Sequence, residues 1–590
     1  MQKISEKSIA PPFSSLNKLD PDECSRIITK FQTHLFDELE KSSLEADREK
    51  PIKLVDYMNP KLCNITAIIY LIQTGNYPVN FPQFYNLNTT QEFLTFILTK
   101  LFYTEFLETK LVQTTPENST IDLSNPAEWF PEARKMKRKI IMHVGPTNSG
   151  KTHNSLLKLA SSKSGYYAGP LRLLAREIYE RFNSENIRCN LITGEEVIPS
   201  INEFGKISEI SSGTIEMIPL TKKMDICVID EIQMISDIYR GAAWTNALLG
   251  VLAKEVHLCG EESAVKLVKS ICEMTGDEVE VKHYKRLGKL TVQKEHLKDL
   301  KRLQKGDCVI AFSKRKILEI KCKIEQSTDL KVAVIYGALP PEIRSKEATS
   351  FNKGEYDVLV ASDAVGMGLN LKIRRIIFHT VKKFDGNKVK LLNASSTKQI
   401  GGRAGRFSKT EGESEGFVTA MTKSDLNHVK KMMKAPIVDL EKACIWPTNL
   451  VWKHYMIKFP KDTSFYDILC EFDHDTQKLK LKNYFISELQ ARSDILQLFL
   501  ADDLYKTTTI EDQLTLSLAP INTISSPIVL KTAIKFLKNI NDCTSKSIFD
   551  FEFLQPDVIS RIPKINATTS STVDTLQVLE DMHKIVLLFL

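Results

Sequence analysis

The spacing of apolar and polar residues changes twice along the chain. Before residue 139, apolar side chains such as Ile27, Phe31 and Leu35 recur at the three- and four-residue intervals of an amphipathic helix. A second helix is predicted over 90–111, with its Phe/Leu stripe at 93–107 in the core. The amino-terminal part is therefore predicted to be helical.

From Lys139 onward, short runs of β-forming residues replace this periodicity. The runs "IIMHVG", "GYYAGP", "DICVIDE" and "EVHLCGE" alternate with helical segments, and a second series contains "DCVIAF", "VAVIYG", "DVLVASD", "RRIIFHT" and "GFVTAM". Such alternation predicts parallel sheets with helices on both faces. Beyond residue 440 the helical pattern returns, interrupted by prolines.

The predicted fold class is therefore α/β, with two consecutive parallel-sheet domains flanked by helical domains. The expected boundaries are 1–138 for the amino-terminal helical domain, 139–283 and 284–440 for the two α/β domains, and 441–590 for the carboxyl-terminal helical domain. The last helix is expected to be cut short, since no capping residue follows it before Leu590.

Composition narrows the class of protein. The 590 residues are 42% hydrophobic and 26% charged, as in a globular protein of several domains. No apolar run approaches the ~18–20 residues of a membrane helix, so no membrane partner is expected. The 11 cysteines form no CxxC pair, which argues against a disulfide framework or a zinc knuckle. The net charge of +7 permits an anionic partner.

A glycine-rich stretch predicts a phosphate-binding loop. Residues 145–152 spell G-x-x-x-x-G-K-T between a predicted strand and a predicted helix. Backbone N–H groups in such a loop point at the β-phosphate of a nucleotide, the lysine reaches the β- and γ-oxygens, and the threonine ligates Mg²⁺. The candidate nucleotide-binding residues are Gly145, Pro146, Thr147, Asn148, Ser149, Gly150, Lys151 and Thr152. The loop alone would equally suit a small-molecule kinase or a GTPase.

Two adjacent carboxylates extend this site. "ICVIDEIQ" is an apolar strand that ends in Asp230 and Glu231. A carboxylate at the end of a neighbouring parallel strand lies beside the Mg²⁺ of such a loop. Asp230 is therefore predicted to hold the metal together with Thr152, and Glu231 to polarise the attacking water.

The second α/β domain ends in a basic segment, "QIGGRAGR" (399–406). Arg403 and Arg406 are three residues apart, so on a helix both would face the same way. Their guanidinium groups suit a γ-phosphate in transit, as arginine fingers do. Arginine fingers on a separate domain would make hydrolysis depend on closure of the cleft between the two domains. A small-molecule kinase would instead need a site for the phosphate acceptor in the first α/β domain.

Together these segments resemble a superfamily-two helicase with tandem RecA-like domains. "GPTNSGKT" resembles motif I, "DEIQ" motif II, "SDAVGMGLN" (362–370) motif V and "QIGGRAGR" motif VI. The DExQ form of motif II, together with "GPLRLLAREI", "LCGEESA", "IWPTNL" and "LSLAPIN", resembles the mitochondrial degradosome RNA helicase family over roughly residues 125–590.

The resemblance implies an ATP-dependent RNA helicase that uses ATP and Mg²⁺, moves 3′-to-5′ on single-stranded RNA or RNA with a 3′ overhang, and works in the mitochondrial matrix. Its implied partner is a 3′-to-5′ exoribonuclease, of RNase II type in preference to polynucleotide phosphorylase. It further implies that Gln233 couples the nucleotide to motif VI and that Gln399 lines the γ-phosphate side of the cleft. Asp363 and Gly368 would bridge the nucleotide and RNA sites.

An RNA strand would lie at the carboxyl ends of the strands, where open α/β domains bind ligands. Contacts there to the RNA backbone carry no sequence information, as a translocating enzyme requires. The candidate RNA-binding residues are Pro170, Arg172, Thr193, Gly194 and Thr214 in the first α/β domain and Ser313, Lys314 and Thr380 in the second.

Some features favour structural interpretations. The basic stretch at 134–139 is interpreted as a solvated linker in preference to an RNA contact. Trp129 and Phe130 are interpreted as a packing anchor in preference to an adenine-stacking platform. His143 is expected to face inward from its strand.

Two other hypotheses stay open on the residues alone. One is a DNA helicase or nucleic-acid translocase, because nothing in these motifs reads a 2′-hydroxyl. The other is a scaffold that docks a nuclease and whose ATPase site is incidental.

Overall fold

The computed structural model describes residues 122–589, with gaps at 195, 203–206, 338, 367–370, 385–387, 406–414, 461–462, 480, 502–507, 520–525, 542–546 and 552–569. The helices predicted before residue 112, with the stripe at 93–107, lie outside the described residues. The described chain divides into two compact units: the smaller contains 175–217, and the larger contains 122–174 and 218–589.

The larger unit begins with a parallel sheet of five strands in the order β2-β6-β7-β1-β8. The strands β1, β2, β6 and β7 are mostly buried, as expected for a sheet covered on both faces, whereas β8 at the edge of the sheet has no buried residue. The strands of this part of the chain, including β3–β5 of the smaller unit, are β1 (Lys139–Val144), β2 (Gly165–Gly169), β3 (Asn190–Ile192), β4 (Val197–Ile198), β5 (Ile210–Thr214), β6 (Met224–Ile229), β7 (Ala253–Gly260) and β8 (Glu278–His283).

In the smaller unit, β3 pairs with β4 in antiparallel and with β5 in parallel orientation. The side chain of Asn190 stabilises this unit, since its Nδ2 donates to the carbonyl oxygens of Ser208 at 2.8 Å and Ile210 at 3.2 Å.

The helices of this region are α1 (Pro131–Arg134), α2 (Lys151–Ala160), α3 (Arg172–Ser184), α4 (Gly241–Gly250) and α5 (Val265–Thr275). Phe130 packs directly on Gly250, where a Cβ atom would lie 2.3 Å from the Phe130 ring. Trp129 is buried beside it, which confirms the packing interpretation of this pair. His143 is also buried, as expected.

The interpretation of the basic stretch at 134–139 as solvated holds for Lys135 and Lys137, which are exposed, but was wrong for Arg134 and Arg138. The side chain of Arg138 is fully buried and makes a bidentate ion pair with Asp277, in which Nε donates to Oδ1 at 2.9 Å. Arg134 Nη1 lies 3.6 Å from the same carboxylate. Spacing in sequence could not reveal this acidic partner, because Asp277 lies more than a hundred residues further along the chain.

A second parallel sheet has six strands in the order β11-β12-β10-β13-β16-β9. Cys308 and Ile310 pack into one apolar cluster and Val309 and Ala311 into another, so helices cover both faces of this sheet. Its strands are β9 (Leu290–Val292), β10 (Asp307–Ile310), β11 (Val332–Ile335), β12 (Val358–Ala361), β13 (Arg375–Phe378) and β16 (Gly416–Ala420), and a separate hairpin is formed by β14 (Lys382–Phe384) and β15 (Val389–Leu391). The helices are α6 (Lys314–Ser327), α7 (Pro341–Lys353), α8 (Ala394–Gly401) and α9 (Lys423–Lys434).

The carboxyl-terminal part is mainly helical. It contains β17 (Ala443–Ile445), β18 (Tyr484–Ile486), α10 (Asn449–Met456), α11 (Phe465–Lys478), α12 (Gln490–Ala501), α13 (Ile510–Ser517), α14 (Pro527–Asn541) and α15 (Ser570–Phe589). Trp446 and Trp452 lie in its core, which includes Ala242 of α4. Thr245 of α4 also donates to the Cys444 carbonyl oxygen at 2.5 Å. This part is therefore attached to the first parallel sheet through α4. Within the described residues, no helix is both long and apolar enough to span a bilayer.

Candidate active site

The phosphate loop lies between β1 and the start of α2. Asn148 and Gly150 both have left-handed backbone conformations, with φ of 62° and 79°, which turn the chain sharply before Lys151. Ser149 Oγ is buried and has no hydrogen-bond partner among the described residues. Lys151 Nζ donates to the Pro146 carbonyl oxygen at 3.2 Å, so it lies folded over its own loop. The loop thus offers a buried hydroxyl and a cation to a ligand.

The first predicted carboxylate lies at the end of β6 and reaches this loop. Asp230 Oδ1 accepts a hydrogen bond from Thr152 Oγ1 at 3.3 Å, and Oδ2 accepts one from Tyr167 OH at 3.1 Å. Asp230 is 6% exposed, and its burial, followed by the nearby charge of Glu231, raises the pKa of its carboxyl group. A cation bound here would relieve both effects.

Glu231 has a strained backbone, with φ of 52° in the left-handed region. Its Oε2 accepts a hydrogen bond from Gln233 Nε2 at 2.5 Å, and Gln233 Oε1 accepts one from the Glu261 backbone N–H at 3.0 Å. Glu261 in turn accepts from Ser395 Oγ at 2.8 Å. A hydrogen-bonded path therefore runs from Glu231 to α8 of the second sheet region.

The basic segment of the second sheet region meets the phosphate loop. Asn148 Nδ2 donates to the Gly405 carbonyl oxygen at 2.8 Å. Arg403 Nη2 lies 3.9 Å from Glu231 Oε1, and both side chains are largely buried, at 20% and 15% exposure. Gln399 is half-buried in the last turn of α8. The structure thus brings Lys151, Glu231 and Arg403 to one cleft.

The prediction that Arg403 and Arg406 share a helix was wrong. The helix α8 ends at Gly401, and Arg403 lies in the turn that follows. The chain cannot continue helically, because Gly405 has φ of 64° and packs against the backbone of Gly416. Arg406 lies outside the described residues.

Of the two residues predicted to bridge the nucleotide and RNA sites, Asp363 starts a short 3-10 turn, and its carboxylate accepts from Lys383 Nζ at 2.5 Å. Gly368 lies outside the described residues.

Comparison with known proteins identifies the family. A family model described as "DEXQ-box helicase domain of Suv3" matches residues 126–284, and one described as "Helicase conserved C-terminal domain" matches residues 289–408. The chain is 53% identical to "ATP-dependent RNA helicase SUV3, mitochondrial" of Candida albicans, over 100% of this chain and 82% of the relative. This chain belongs to the SUV3 family of ATP-dependent RNA helicases.

Other SUV3 relatives are longer than this chain. The Saccharomyces cerevisiae protein named "ATP-dependent RNA helicase SUV3, mitochondrial" is 48% identical over 71% of this chain and 57% of its own length. The human "ATP-dependent RNA helicase SUPV3L1, mitochondrial" is 41% identical over 60% of this chain and 45% of its own length. Membership in the SUV3 family confirms the tandem RecA-like α/β fold, the enzyme class and the mitochondrial localisation.

Several residues suggested for RNA lie in the larger unit of this SUV3-family chain. The Pro170 carbonyl oxygen accepts from Arg240 Nη2 at 2.8 Å, and Arg172 begins α3. Burial, followed by the positive charge of Arg172, lowers the pKa of Arg344 on α7 of the second sheet region. Two guanidinium groups from different sheet regions therefore lie near each other, an arrangement that favours an anion.

The second sheet region contains the other three candidate RNA-binding residues of the larger unit. Ser313 caps α6 through a hydrogen bond from the Lys316 backbone N–H at 3.2 Å, and Thr380 Oγ1 accepts from the Lys382 backbone N–H at 3.2 Å. Lys314 Nζ pairs with Glu580 Oε2 of α15 at 2.6 Å.

In the smaller unit, the three RNA candidates differ in accessibility. Thr193 is 4% exposed, and its hydroxyl donates to the Glu196 carbonyl oxygen at 3.1 Å. Thr214, the last residue of β5, is also buried, whereas Gly194 is exposed.

The sequence pattern indicated no role for Glu261, Ser395 or Tyr167. Glu261 lies in "LCGEESA", a segment that resembles the helicase family, and an acidic side chain directly after a strand was the available signal. Tyr167 and Ser395 gave no such signal, because their roles depend on contacts with Asp230 and Glu261 across the fold.

Proposed function

We propose that this SUV3-family chain hydrolyses ATP between its two sheet regions and uses closure of that cleft to move 3′-to-5′ along single-stranded RNA. The observation that carries the proposal is the contact between the phosphate loop and the basic segment. Asn148 reaches Gly405 at 2.8 Å, and Arg403 reaches Glu231 at 3.9 Å. Hydrolysis on one region is thereby tied to the position of the other.

Residues at the phosphate loop and the end of β6 in the first sheet region are proposed to bind ATP and Mg²⁺. The N–H groups of the loop and of α2 bind the β-phosphate, and Lys151 binds the β- and γ-oxygens. Thr152 and Asp230 fit Mg²⁺, because their oxygen atoms lie 3.3 Å apart and oxygen is the ligand that Mg²⁺ prefers. When bound, Mg²⁺ neutralises charge on the β- and γ-phosphates.

Glu231 orients the attacking water. In the structure its carboxylate is held by Gln233 and faces Arg403. The γ-phosphate of ATP competes for Arg403 and draws the guanidinium away from Glu231, which leaves that carboxylate free to accept a hydrogen bond from water. Gln399 and Arg406 are proposed to contact the same γ-phosphate.

Gln233 is proposed to report the state of the nucleotide to the second sheet region. It joins Glu231 to the Glu261 backbone, and Glu261 joins Ser395 on α8. A shift of Glu231 on hydrolysis is therefore transmitted to α8 through three hydrogen bonds. Asp363 and Gly368 keep their proposed bridging role.

In the larger unit, RNA is proposed to contact Pro170, Arg172, Ser313 and Thr380. In the smaller unit, the proposed RNA contacts are Thr193, Gly194 and Thr214. Lys314 belongs to the same set, although its ammonium is paired with Glu580. An RNA phosphate and the Glu580 carboxylate would compete for that cation, so RNA binding there opens the contact with α15. Backbone contacts of this kind make affinity strongly salt-dependent.

The proposed partner is a 3′-to-5′ exoribonuclease, with RNase II type preferred to polynucleotide phosphorylase, in the mitochondrial matrix. Polarity and partner both rest on the resemblance to degradosome helicases. Helicase and nuclease would then act from the same RNA end, since 3′-to-5′ movement exposes the strand that such a nuclease degrades.

An ATPase assay tests the proposal. Single-stranded RNA should stimulate turnover, and Glu231→Gln should abolish turnover while ADP binding persists. Glu273→Gln, an exposed glutamate on α5, is the matched control and should behave as wild type. Unwinding should require a 3′ overhang in preference to a 5′ overhang. ATPase activity that is indifferent to RNA would contradict the helicase function.

Two further assays separate the alternatives. Equal stimulation by matched DNA and RNA strands would favour a general nucleic-acid translocase. A Lys151→Ala variant that still supports degradation of base-paired RNA by an added exoribonuclease would favour the scaffold.

A further inference from the structure

One residue of the segment between the two sheets contacts both sides of the cleft. The chain leaves β8 at His283 and enters β9 at Leu290. Between them, Arg286 Nη1 donates to the Thr147 carbonyl oxygen at 3.1 Å and to the Gly402 carbonyl oxygen at 2.7 Å. Its Nη2 donates to the Ala404 carbonyl oxygen. The guanidinium therefore joins the phosphate loop to the two residues that flank Arg403.

The chain around Arg286 is itself bound to the phosphate loop. The Leu287 backbone N–H donates to the Asn148 carbonyl oxygen at 2.9 Å, and the Tyr284 backbone N–H donates to the Val144 carbonyl oxygen at 2.8 Å. Arg286 Nε donates to the Gly288 carbonyl oxygen at 2.9 Å, which fixes the direction of the side chain. The arginine is thus held rigidly relative to the loop.

The chemistry of this contact is specific to arginine. The guanidinium of Arg286 donates to four backbone carbonyl oxygens, and no carboxylate of the described residues pairs with it. Burial lowers the pKa of Arg286 to about 10, so the group stays charged at neutral pH. A planar guanidinium donates in several fixed directions at once, whereas a lysine ammonium is a compact charge on a flexible stem.

We propose that Arg286 is a positioning residue that holds the Arg403 turn against the phosphate loop and so aims Arg403 at the γ-phosphate. The inference rests on the proposed ATPase function. Arg286 contacts the backbone on both sides of the finger residue, at Gly402 and Ala404, and needs no contact with the nucleotide. Its removal takes away the guanidinium contacts with Thr147, Gly402 and Ala404 and so loosens the turn, whereas the Asn148–Gly405 contact, Lys151 and Asp230 do not depend on it.

The consequence for kinetics is a loss of turnover with little loss of nucleotide binding. An arginine finger is worth roughly 10³–10⁵ in turnover, and a misplacement of about 1 Å can cost on the order of a hundredfold. We expect Arg286→Ala to lower kcat of the RNA-stimulated ATPase by at least about tenfold. ADP affinity, which depends on the first sheet region, should change less than about twofold.

A double-mutant comparison tests whether Arg286 acts through Arg403. If it does, Arg286→Ala should reduce ATPase activity little further in an Arg403→Ala background, because the guanidinium that Arg286 positions is already absent. If the two losses multiply, Arg286 acts independently and the inference is wrong. Unchanged kcat in Arg286→Ala would also overturn it.

Controls separate this inference from simple unfolding and from the proposed function itself. Lys285→Ala, at the exposed neighbouring position, should match wild type. Arg286→Lys retains the positive charge but lacks the planar guanidinium, so this variant should still lose turnover. It provides a second test if Arg286→Ala does not fold. An inactive wild-type chain would contradict the proposed ATPase, whereas an active wild type with equally active Arg286 variants would contradict the inference alone.

Discussion

Gly402→Ala is the change that most directly tests closure of the cleft. Gly402 has φ of −64°, a value that alanine adopts freely, so the effect is steric and not conformational. A Cβ atom there would lie 1.8 Å from Thr147 Oγ1 and 2.6 Å from the Lys398 carbonyl oxygen. Non-bonded atoms meet at roughly 3.5 Å, so the Thr147 hydroxyl must rotate away and the turn must also shift, by up to about 1 Å, from the Lys398 carbonyl oxygen.

That displacement moves Arg403 away from the nucleotide. A 1 Å misplacement can cost on the order of a hundredfold in rate, so we expect kcat of the RNA-stimulated ATPase to fall about a hundredfold. Affinity for ADP should be preserved, because the phosphate loop remains intact. Steady-state ATPase kinetics and ADP titration measure the two quantities separately.

The adjacent glycine offers a matched control. A Cβ at Gly401 would lie 3.4 Å from Met433 Sδ and from Val418 Cγ2, which neighbours can accommodate. Gly401→Ala should therefore keep activity within about threefold of wild type, since alanine also favours the helix. Turnover by Gly402→Ala within twofold of wild type would refute the closed contact between Thr147 and Gly402.

Three other predictions follow from buried contacts. Glu580→Gln should raise affinity for single-stranded RNA about fivefold in a filter-binding assay, because it removes the negative charge that competes with an RNA phosphate for Lys314. An unchanged or lower affinity would argue against the competition. Asp277→Ala should destabilise the fold by about 3–5 kcal/mol in chemical denaturation, since it leaves the Arg138 charge buried and unpaired, and a loss below about 1 kcal/mol would contradict this. Burial, followed by the nearby charge of His257, lowers the pKa of His143 from 6.5 to about 4. As the pH drops, the unfolded chain therefore binds a proton at this histidine before the folded chain does. The free energy of unfolding should fall by roughly 3 kcal/mol between pH 6.5 and pH 4. His143→Gln should flatten that part of a plot of denaturation midpoint against pH, and an equally steep plot would contradict the assignment.

The phosphate loop and the Asp230-Glu231 pair could be identified from sequence because each is a contiguous segment. Strand, glycines and lysine follow one another within residues 139–152, so local geometry alone places them. The same holds for the two parallel sheets, whose strands appear as apolar runs between helical segments. The α/β fold class and the helicase family were accordingly confirmed. The domain boundaries and the site residues stay predictions.

Contacts between segments that are far apart in the chain could not be predicted from such local sequence patterns. The spacing of Arg403 and Arg406 suggested a helix, but α8 ends at Gly401, before Arg403, and Gly405 has a left-handed φ of 64°. Arg134 and Arg138 of the basic stretch at 134–139 resembled solvated linker residues until Asp277 supplied their counter-charge. The pairing of Lys314, a candidate RNA-binding residue, with Glu580 of α15 likewise joins segments far apart in the chain.

The residue order is enough to predict the chemical groups for ATP and metal, because Lys151, Thr152, Asp230 and Glu231 lie in short segments whose local conformation suffices. What these groups face depends on the packing of distant segments in the folded chain. The contacts of Arg286 with Thr147, Gly402 and Ala404 join segments more than a hundred residues apart. Their acceptors are backbone carbonyl oxygens, which every residue has, so no residue type in the sequence indicates them. Closure of the cleft is therefore a property of the folded chain and not of any one motif.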